Sequence, residues 1–448
     1  MSISAGSNPV PRNLPLVTAA LERLLRVIEE VFPVPGRFRS SLPWDVAELS
    51  RLLTGGRSER ESGYLSRPNL LSAYLRYFLP WNVFRLYRLF SLVSEESISS
   101  GHDDGHDEPK DRPGGFSGPF QLDNGAALTD IGSGPLAFPI ALWLFRPELR
   151  KLDLEFRCVD NSAPALEAGK KLLAALAMEG GTGWKIRIIR DSVNAPVRGK
   201  KAALVTAINV FNEVYRRGDP VFAADKAAKL LERLCSDDAS IIVMEPGIPE
   251  SGAFIAALRD ALRERGKRIA APCTHENPCP LPGIYGGRFR GEANRVPSPP
   301  GVSPSTGRGK AKWCHFAFDT AEAPVELHRL SAAAGIPKER AVFSFLTAGK
   351  ARPGGIAGIR VISDAFPVPG GWGRYGCGTA DGCGAADGCG AVARIAANDG
   401  EIAGAAKNLI LIRGSKDAIE RMTPGTVVES GKQAGLDKKT GALVFCPN

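Results

Sequence analysis

The sequence predicts an α/β protein in which a doubly wound parallel sheet forms the core, a helical region precedes it and a small β-rich module follows it. From residue 126 onward, short apolar strands alternate with amphipathic helices, the rhythm of βαβ units. The first strand ends in a glycine-rich turn that opens a helix, TDIGSGPLAF. These observations predict a Rossmann-like core, because such a turn lets the backbone approach a ligand at the carboxyl edge of a parallel sheet.

The composition is that of a globular chain with a basic surface. Its 448 residues include 57 Lys and Arg against 48 Asp and Glu, a formal net charge of +9. The first thirty residues lack the apolar core of a secretory signal, and no run reaches the ~18 apolar residues that a membrane span needs. We therefore expect a monomeric cytoplasmic protein, or a mitochondrial one if the source is eukaryotic, without a membrane partner. The positive charge favours a polyanionic partner, with nucleic acid as the first candidate.

Residues 1–100 are predicted to form a helical N-terminal region. Residues 17–31 repeat leucine and isoleucine at helical spacing. A second block, NLLSAYLRYFLPWNVFRLYRLFSLV, interleaves aromatic residues with Arg76, Arg85 and Arg88. Two interpretations stand: these side chains stack on RNA, or the aromatic residues form a buried face with the arginines in solvent.

Residues 101–120 are predicted to be a flexible linker. The segment GHDDGHDEPKDRPGGFSGP is polar and rich in glycine, proline and acids, a composition that does not form a packed core. A metal site at His102 and His106, which lie beside acids, is the alternative.

Residues 121–270 are predicted to form the core. Its strands follow apolar runs that end near polar residues, and they are AALTDI, LDLEFRCVD, WKIRIIRD, AALVTAINVF and SIIVMEPG. The helices between or after them include APALEAGKKLLAALAM, AADKAAKLLERL and SGAFIAALRDALRER. Parallel strands need such crossover helices, so this order predicts a parallel sheet.

The turn after the first strand and the acid that ends the second predict a nucleotide-type ligand. Asp130, Gly132, Ser133 and Gly134 form the turn, and Asp160 stands where a carboxylate accepts hydrogen bonds from both hydroxyls of a ribose. This DxGxG strand end with a second acid resembles the S-adenosylmethionine site of class I methyltransferases. A side chain in place of Gly132 is then expected to block the ligand without unfolding the domain.

Two alternatives stay open for this turn. Gly132, Gly134 and Ala137 also satisfy GxGxxA, so an NAD-binding oxidoreductase is a second hypothesis. Asp160, however, follows Asp130 by 30 residues, whereas a dinucleotide fingerprint places its acid about 20 residues on. A scaffold that binds no ligand is the third hypothesis.

Six of the nine cysteines fall between residues 273 and 389, and they are Cys273, Cys279, Cys314, Cys377, Cys383 and Cys389. Cysteines concentrated in a chain without secretory features are better explained as thiolate ligands than as disulfide partners. Thiolates select soft metals, chiefly zinc or an iron–sulfur cluster. Residues 271–340 are therefore predicted to be a metal-binding region. Residues 341–448, with strand-like segments from AVFSFLTA to TVVESG, are predicted to be a small β-rich module that contributes a ligand.

Several segments together resemble one family, and they are YLRYFLPWNVFRL, TDIGSGPLAFPIALW, INVFNEVY, EPG, PCTHENPCP, WCHF and GRYGC. Over roughly residues 60 to 430, the chain is similar to the methyltransferase-like proteins of the mitochondrial small ribosomal subunit and their bacterial relatives. The resemblance implies a class I methyltransferase fold, a four-cysteine iron–sulfur (4Fe-4S) cluster, and a role in assembly or translation through the small subunit or its rRNA. On that pattern the cluster ligands are Cys273, Cys279, Cys314 and Cys377.

Zinc is the alternative metal. Structural zinc sites usually draw two ligands from a tight CxxC knuckle, and the sequence contains none. The wide spacings suit a larger cluster whose corners face different segments. His275 and His315 lie next to candidate thiolates, where they could replace one or hydrogen-bond a sulfur.

Two features depart from the family pattern. Residues 283–312 hold six basic residues and one acid, a net charge of +5. We expect this basic segment to be disordered when free and to order on RNA, or else to be a plain solvated loop. The repeat CGTADGCGAADGCG offers three cysteines where one ligand is needed, and Cys383 and Cys389 are expected to be bystanders.

Candidate catalytic residues follow the fourth strand, in NVFNEVY. Asn209 and Glu213 are the predicted pair, with Glu213 as a base or as a group that orients the substrate, and Asn212 lies nearby. They could equally cap the following turn. We expect an S-adenosylmethionine-dependent rRNA methyltransferase, and the alternative is a catalytically inactive, RNA-binding ribosome assembly factor with the same fold.

Overall fold

The structure is a computed structural model that describes most of the chain. The described residues are 16–54, 64–98, 119–178, 181, 183–195, 197–214, 219–277, 279, 281, 313–349, 358–378, 409–422, 424–428, 432–436 and 442–446. The predicted linker lies outside these residues up to position 118, and the basic segment, Cys383 and Cys389 lie outside them entirely. Within the described ranges, no helix is both long and apolar enough to cross a membrane.

The N-terminal part of the described chain consists of helices. They are α1 (Val17–Val31), α2 (Gly36–Arg39), α3 (Leu42–Leu53), α4 (Pro68–Ala73) and α5 (Leu79–Ile98), with a 3-10 turn at Tyr64–Ser66. Between α4 and α5, residues Tyr74–Phe78 form a π-helical turn in which the N–H of Leu79 donates to the carbonyl of Tyr74. Turns of this kind add one residue to the helical repeat and often occur at functional sites.

Most aromatic residues of this second helical block are buried, and Tyr74 and Phe78 are half-buried. Trp81 on α5 is 1% exposed. Arg76 and Arg88 are buried as well, and each pairs with a carboxylate, that of Glu29 at 3.0 Å and that of Glu322 respectively. The buried-face interpretation therefore holds here, but these two arginines are paired rather than solvated, because a guanidinium removed from water needs a partner.

The larger of two sheets has eight strands and forms the core. Its strands are β1 (Ala127–Ile131), β2 (Glu155–Asp160), β3 (Lys185–Arg190), β4 (Ala202–Ile208), β5 (Cys235–Pro246), β6 (Arg268–Ala271), β7 (Phe316–Asp319) and β8 (Arg340–Gly349). They run in the order β3, β2, β1, β4, β5, β8, β6, and β7 pairs with β8. Strands β1 to β5 are parallel, whereas β8 is antiparallel to β5 and β6.

The helices of the core cover both faces of this sheet. They are α6 (Ala137–Phe145), α7 (Ala163–Ala177), α8 (Phe211–Val214), α9 (Pro220–Leu234), α10 (Pro249–Glu264) and α11 (Val325–Ala333), with a 3-10 turn at Pro147–Lys151. Leu204 of β4 packs in the cluster that holds α1, α5, α6 and α7, while its neighbour Val205 packs in the cluster that holds α9 and α10. Alternate strand residues thus enter two cores, one on each face, and the predicted doubly wound α/β class is confirmed.

The strand order also fixes where a ligand can bind. The chain leaves β1 for β2 on one side and returns to β4 on the other, which makes the carboxyl ends of β1 and β4 the topological switch point. Ligands bind at such points in doubly wound sheets. The edge strand β3 exposes Lys185, Arg187 and Arg190, and this charge discourages pairing with another chain.

The smaller sheet has seven strands. They are β9 (Ile359–Val361), β10 (Phe366–Val368), β11 (Gly371–Cys377), β12 (Leu409–Gly414), β13 (Val427–Val428), β14 (Lys432–Leu436) and β15 (Leu443–Cys446), and helix α12 spans Lys416–Arg421. The strand order is β13, β9, β11, β12, β15, β14, and β10 pairs with β11. It has its own apolar cluster, which includes Ile410 and Ile412 of β12.

The boundary between the core and the β-rich module differs from the expected residue 341. The predicted strand AVFSFLTA is β8, and it pairs with β5 and β6 in the larger sheet, with Phe345 opposite Met244. Nearly every residue of β8 is buried, so the strand needs cover on both faces, which an interior place in the larger sheet provides. Among the described residues, the smaller sheet begins at Ile359.

Candidate active site and cysteine centre

The glycine-rich turn lies at the carboxyl end of β1, at the switch point of the larger sheet. Gly132 and Gly134 have φ angles of +66° and +50°, left-handed values that favour glycine. The N–H of Ser133 donates to the carbonyl of Val159 at 3.0 Å and ties the turn to β2. Helix α6 begins directly afterwards, so its first N–H groups, which have no partner within the helix, border the space above the turn.

The two glycines serve different purposes. A Cβ at Gly132 would lie 2.3 Å from Cγ2 of Val210, so this glycine lets the turn pack against the segment after β4. At Gly134 the nearest atom would be the hydroxyl of Tyr74, 4.0 Å away. A side chain at Gly132 would thus meet Val210, so the expectation that it would spare the fold stays a prediction, whereas a side chain at Gly134 would meet nothing closer than Tyr74.

Asp130 is buried beneath the turn. Its Oδ1 accepts a hydrogen bond from the hydroxyl of Thr206 (2.6 Å) and its Oδ2 accepts one from the hydroxyl of Ser133 (2.7 Å). Burial raises the pKa of this carboxyl to about 6, although both hydrogen bonds act in the opposite direction. With 2% of the residue exposed, Asp130 shapes the turn through Ser133 and joins β1 to β4 through Thr206.

Asp160, at the end of β2, faces the turn directly. Its Oδ2 accepts the N–H of Gly134 at 2.9 Å and its Oδ1 accepts the N–H of Ser162 at 2.8 Å. Burial raises the pKa of this carboxyl, and the charge of Glu213 raises it further. Each carboxylate oxygen can accept a second hydrogen bond, so the pair of oxygens stays able to bind two hydroxyls.

The predicted catalytic residues lie at the carboxyl end of β4. Asn209 has a left-handed φ of 57°, and its N–H donates to the carbonyl of Met244 at 2.7 Å. Its side-chain amide donates to Oδ1 of Asn82 at 3.3 Å. The structure thus brings Asp130, Asp160 and Asn209 to one edge of the sheet, while their action on a ligand stays a prediction.

Glu245, the last residue but one of β5, was missed as a site residue from the sequence. Its Oε1 accepts the N–H groups of Val210 (3.1 Å) and Phe211 (2.8 Å), and its Oε2 accepts that of Asn212 (3.2 Å). It is fully buried, and burial raises the pKa of the carboxyl to about 8. Glu245 therefore fixes the segment that carries the predicted catalytic pair. The sequence signals were its place at the end of an apolar run and its membership of the EPG segment.

The N-terminal helices also reach this site. The hydroxyl of Tyr74, in the π-helical turn, accepts a hydrogen bond from the side-chain amide of Asn82 at 3.4 Å. Burial raises the pKa of Tyr74, and the charges of Glu213 and Asp160 raise it further. Tyr74 is therefore near enough to the predicted ribose-binding acid and to the predicted catalytic acid to be affected by both charges.

The four predicted metal ligands lie close to one another on three segments. Cys273 and Cys279 follow β6, Cys314 precedes β7, and Cys377 ends β11, and all four are free thiols. Burial, and then the charge of Cys273, raise the pKa of Cys279 to about 12. Burial, and then the charges of neighbouring cysteines, raise the pKa values of Cys314 and Cys377 well above the usual value. Thiols that raise each other's pKa need a cation before they ionise together.

Polar groups hold this cysteine centre in place. The buried guanidinium of Arg259 on α10 donates to Sγ of Cys273 at 3.2 Å and to the carbonyls of His275 (3.0 Å) and Asn277 (2.6 Å). Nε2 of His275 lies 3.0 Å from Sγ of Cys377. The histidine thus contacts a sulfur, one of the two roles considered for it.

One metal ion requires several ligand side chains close together. In the described ranges, no three side chains of His, Cys, Asp or Glu are grouped closely enough to hold one metal ion. A single zinc ion with Zn–S bonds of ~2.3 Å would need its sulfurs within about 4 Å of each other. Among the described residues, the four thiols are thus not grouped for one ion, and a cluster held by them stays a prediction.

Comparisons with known proteins agree with the predicted resemblance. A family model described as mitochondrial small ribosomal subunit Rsm22 matches residues 125–284. That match covers the parallel core and ends just past Cys279. No curated protein matches the chain.

Solved structures with similarity to this chain include three methyltransferases. One is an S-adenosylmethionine-dependent methyltransferase from Geobacter sulfurreducens in complex with S-adenosylhomocysteine, with 15% identity over 34% of this chain and 60% of that chain and a TM-score of 0.24. A second, from Aquifex aeolicus, has 14% identity over 34% of this chain and 77% of that chain and a TM-score of 0.25. The third, a ribosomal protein L11 methylase from Lactobacillus delbrueckii, has 13% identity over 43% of this chain and 75% of that chain and a TM-score of 0.26. This chain spans less than two thirds of the Geobacter protein's length. At these identities, only the fold is compared.

The larger sheet and its helices have the class I methyltransferase-like fold. The strand order supports this assignment directly, because five parallel strands in the order β3, β2, β1, β4, β5 are followed by an antiparallel strand inserted before the last, β6. The glycine-rich turn and Asp160 lie at the two strand ends where the sequence analysis placed the donor.

Proposed function

We propose that this chain is an S-adenosylmethionine-binding, methyltransferase-like protein that acts on the small ribosomal subunit or its rRNA. The observation that carries the proposal is the arrangement at the ends of β1 and β2, where the Asp160 carboxylate accepts the N–H of Gly134 and a Cβ at Gly134 would meet nothing closer than the Tyr74 hydroxyl, at 4.0 Å. The matched family is named for the mitochondrial small ribosomal subunit, which supports the choice of partner and, for a eukaryotic source, a mitochondrial location.

In the proposed reaction, the methyl group moves directly from the donor sulfonium to an acceptor atom. The carbon–sulfur bond breaks and its electron pair stays on sulfur, while a lone pair of the acceptor forms the new bond and any displaced proton leaves to a base or to water. Asn209 would orient the acceptor, and Glu213 would take the proton. Alignment and exclusion of water supply the rate in this scheme.

Calorimetric titration of the purified chain with S-adenosylmethionine and with NAD tests the donor. We expect saturable heat from S-adenosylmethionine, lost in Asp160→Ala and kept in the matched control Asp191→Ala, which changes an exposed aspartate just after β3. Heat from NAD alone would instead support the oxidoreductase hypothesis.

Transfer of tritiated methyl to small-subunit rRNA or immature particles tests the reaction. We expect label on the RNA with the wild-type chain, and none with Glu213→Ala. A second candidate is the inactive assembly factor, favoured by the engagement of Asn209 with Asn82 and of Glu245 with three backbone groups. Particle binding without label would establish that second candidate.

An iron–sulfur cluster is proposed to join the cysteine segments. Cys273, Cys279, Cys314 and Cys377 would hold a 4Fe-4S cluster, which would supply cross-linking of the α/β core to the smaller sheet. Iron and sulfide analysis of single Cys→Ser variants of anaerobically purified protein tests this, with Cys383→Ser as the control. Stoichiometric zinc in the wild type would support zinc instead of the cluster. Full iron content in Cys377→Ser would show that another residue is the fourth ligand.

The basic segment is proposed to anchor RNA. It lies outside the described residues, and its net charge of +5 would release counterions on binding a phosphate backbone. Deletion of residues 283–312 should therefore weaken particle binding and flatten its dependence on salt. An unchanged salt slope would leave the segment as a solvated loop.

A further inference from the structure

A cavity lies near the predicted donor site, between the core, the cysteine segments and the smaller sheet. Its volume is about 800 Å³, within the range of sites that enclose small organic ligands. Pro246 and Gly247 at the end of β5 line it, together with Arg85 of α5 and Lys338 and Arg340 at the start of β8. The cavity is therefore bordered by the carboxyl end of the parallel sheet and by cations.

Of these cations, only Arg340 is paired with an acid among the described residues. Asp364 also lines the cavity, but its carboxylate already pairs with Arg340 and lies 3.8 Å from Nε2 of His315. Among the described residues, no carboxylate forms an ion pair with Arg85 or Lys338. The guanidinium of Arg85 donates to the Asn82 side chain, a neutral group, so an anion is the missing partner in this corner.

Lys338 is held where an anion would be attracted most strongly. Its Nζ lies over the rings of Trp81 and Tyr77, 5.5 and 5.9 Å from their centroids. Burial, and then the charge of Arg85, lower the pKa of Lys338 to about 7. A phosphate between the two cations would relieve their repulsion and restore the charge on the lysine.

The same cavity presents flat aromatic surfaces. Trp313 and His315 stack with ring centroids 4.7 Å apart, and Phe366 and Tyr375 stack at 5.0 Å. Nε1 of Trp313 donates to the carbonyl of Gly247 at 3.1 Å, so its ring is fixed before any ligand arrives. Unpaired bases of single-stranded RNA are bound by stacking on such rings.

Only a thin layer of side chains separates this cavity from the donor pocket. Arg85 donates to Oδ1 of Asn82 at 2.8 Å, and the side chain of Asn209 donates to the same oxygen at 3.3 Å. Asn82 in turn donates to Tyr74, whose hydroxyl borders Gly134. A ligand in the cavity would therefore lie next to the end of β4, where the predicted catalytic residues are.

We propose that this cavity binds one unpaired nucleotide of single-stranded RNA, with its base on the Trp313–His315 stack and a phosphate between Arg85 and Lys338. The proposal rests on the proposed function, because it names the acceptor side of that site. The nucleotide proposal also extends the proposed function, because the cavity is lined by α5, the segment around Cys314 and the smaller sheet as well as by the parallel core.

The test measures binding of a fluorescent ten-nucleotide single-stranded RNA to the full chain, purified anaerobically. Lys338→Gln should weaken binding roughly tenfold or more, as expected for the loss of one charge-assisted contact. Lys171→Gln, which removes the same charge from an exposed site on α7, should weaken it less than about twofold, the scale of one exposed charge. Uridine monophosphate should compete with the RNA, which separates nucleotide recognition from attraction to a long backbone.

Lys338→Arg keeps a positive charge at every pH and serves as the rescue variant if Lys338→Gln folds poorly. Wild-type affinity should fall between pH 6.5 and 8.5, as Lys338 loses its proton, and the arginine variant should keep more of it. The charged groups around the lysine are Arg85 on α5 and, elsewhere on the cavity wall, His315, Arg340 and Asp364, and all are common to both proteins.

Two results would overturn the nucleotide pocket: equal affinities for Lys338→Gln and Lys171→Gln, or no binding of either RNA or mononucleotide by the wild type. The donor is measured separately. Heat from S-adenosylmethionine should be unchanged within about twofold, or about 0.4 kcal/mol, in Lys338→Gln. Absent heat in the wild type would defeat the proposed function while leaving the RNA comparison intact.

Discussion

The buried carboxyl of Asp130 gives a quantitative test of the core of the site. Replacing it with asparagine keeps its size but removes the charge, and the hydroxyls of Thr206 and Ser133, which now donate to it, can also accept. The asparagine can therefore keep both contacts while avoiding the burial of an ionised group.

The magnitude follows from the shift in pKa. Folding raises the pKa of Asp130 from 3.8 to about 6, so between these values the folded state binds more protons than the unfolded state. Stability then falls as the pH rises through this window. At about 1.36 kcal/mol per unit, the full effect is about 3 kcal/mol, of which about 2 kcal/mol is expressed between pH 4.5 and 7.5.

The assay is urea unfolding of the wild type and Asp130→Asn at a series of pH values. The unfolding free energy of the wild type should fall relative to that of the variant by about 2 kcal/mol from pH 4.5 to 7.5. Asp237→Asn changes an exposed aspartate and should show a difference that does not vary in this way. Two parallel curves for the wild type and Asp130→Asn would refute the argument that burial controls this carboxyl.

Three further predictions concern the turn, the β5 end and the cysteine centre. Gly134→Ala should weaken S-adenosylmethionine binding tenfold or more in calorimetry while lowering the unfolding free energy by only about 1–2 kcal/mol. Gly132→Ala should lower the unfolding free energy further, because its Cβ would clash with Val210. Equal stabilities of the two variants would contradict this prediction. Glu245→Ala leaves three backbone N–H groups without an acceptor and should lower the unfolding free energy by about 3 kcal/mol or more in urea unfolding, whereas a loss below about 1 kcal/mol would exclude that role. Arg259→Lys cannot reproduce the guanidinium contacts and should speed the loss of iron to a chelator relative to Arg233→Lys; identical rates would show that Arg259 does not hold the centre.

The parallel core could be predicted from the sequence because its signals are local. Strands β1 and β4 are apolar runs, β3 alternates isoleucine with charged residues, and the glycines at 132 and 134 have the left-handed φ angles that a tight strand-to-helix turn requires. The position of Asp160 followed from the same logic, since parallel strands end at one edge of the sheet. Its hydrogen bond to the amide of Gly134 needed the folded chain.

Long-range partners were beyond local patterns. The segment AVFSFLTA could be recognised as a strand, but its place beside β5 depends on pairs such as Phe345 with Met244, about a hundred residues apart. Apolar periodicity identifies a strand and not its neighbour. In the same way, the aromatic helix could be recognised from the sequence. That its Tyr74 would lie beside the glycine turn could not be predicted.

The π-helical turn at residues 74–78 sets which side of the long N-terminal helix meets the site. An α-helix advances about 100° per residue, so one extra residue in the turn rotates everything before it by about that angle relative to everything after it. Tyr74 lies within the turn, whereas Asn82 and Arg85 lie beyond it on α5. Loss of a single codon here would restore an uninterrupted α-helix and carry Tyr74 away from Gly134 while α5 stayed in place. A deletion of one residue thus changes whether this helix brings Tyr74 and Arg85 to neighbouring sites.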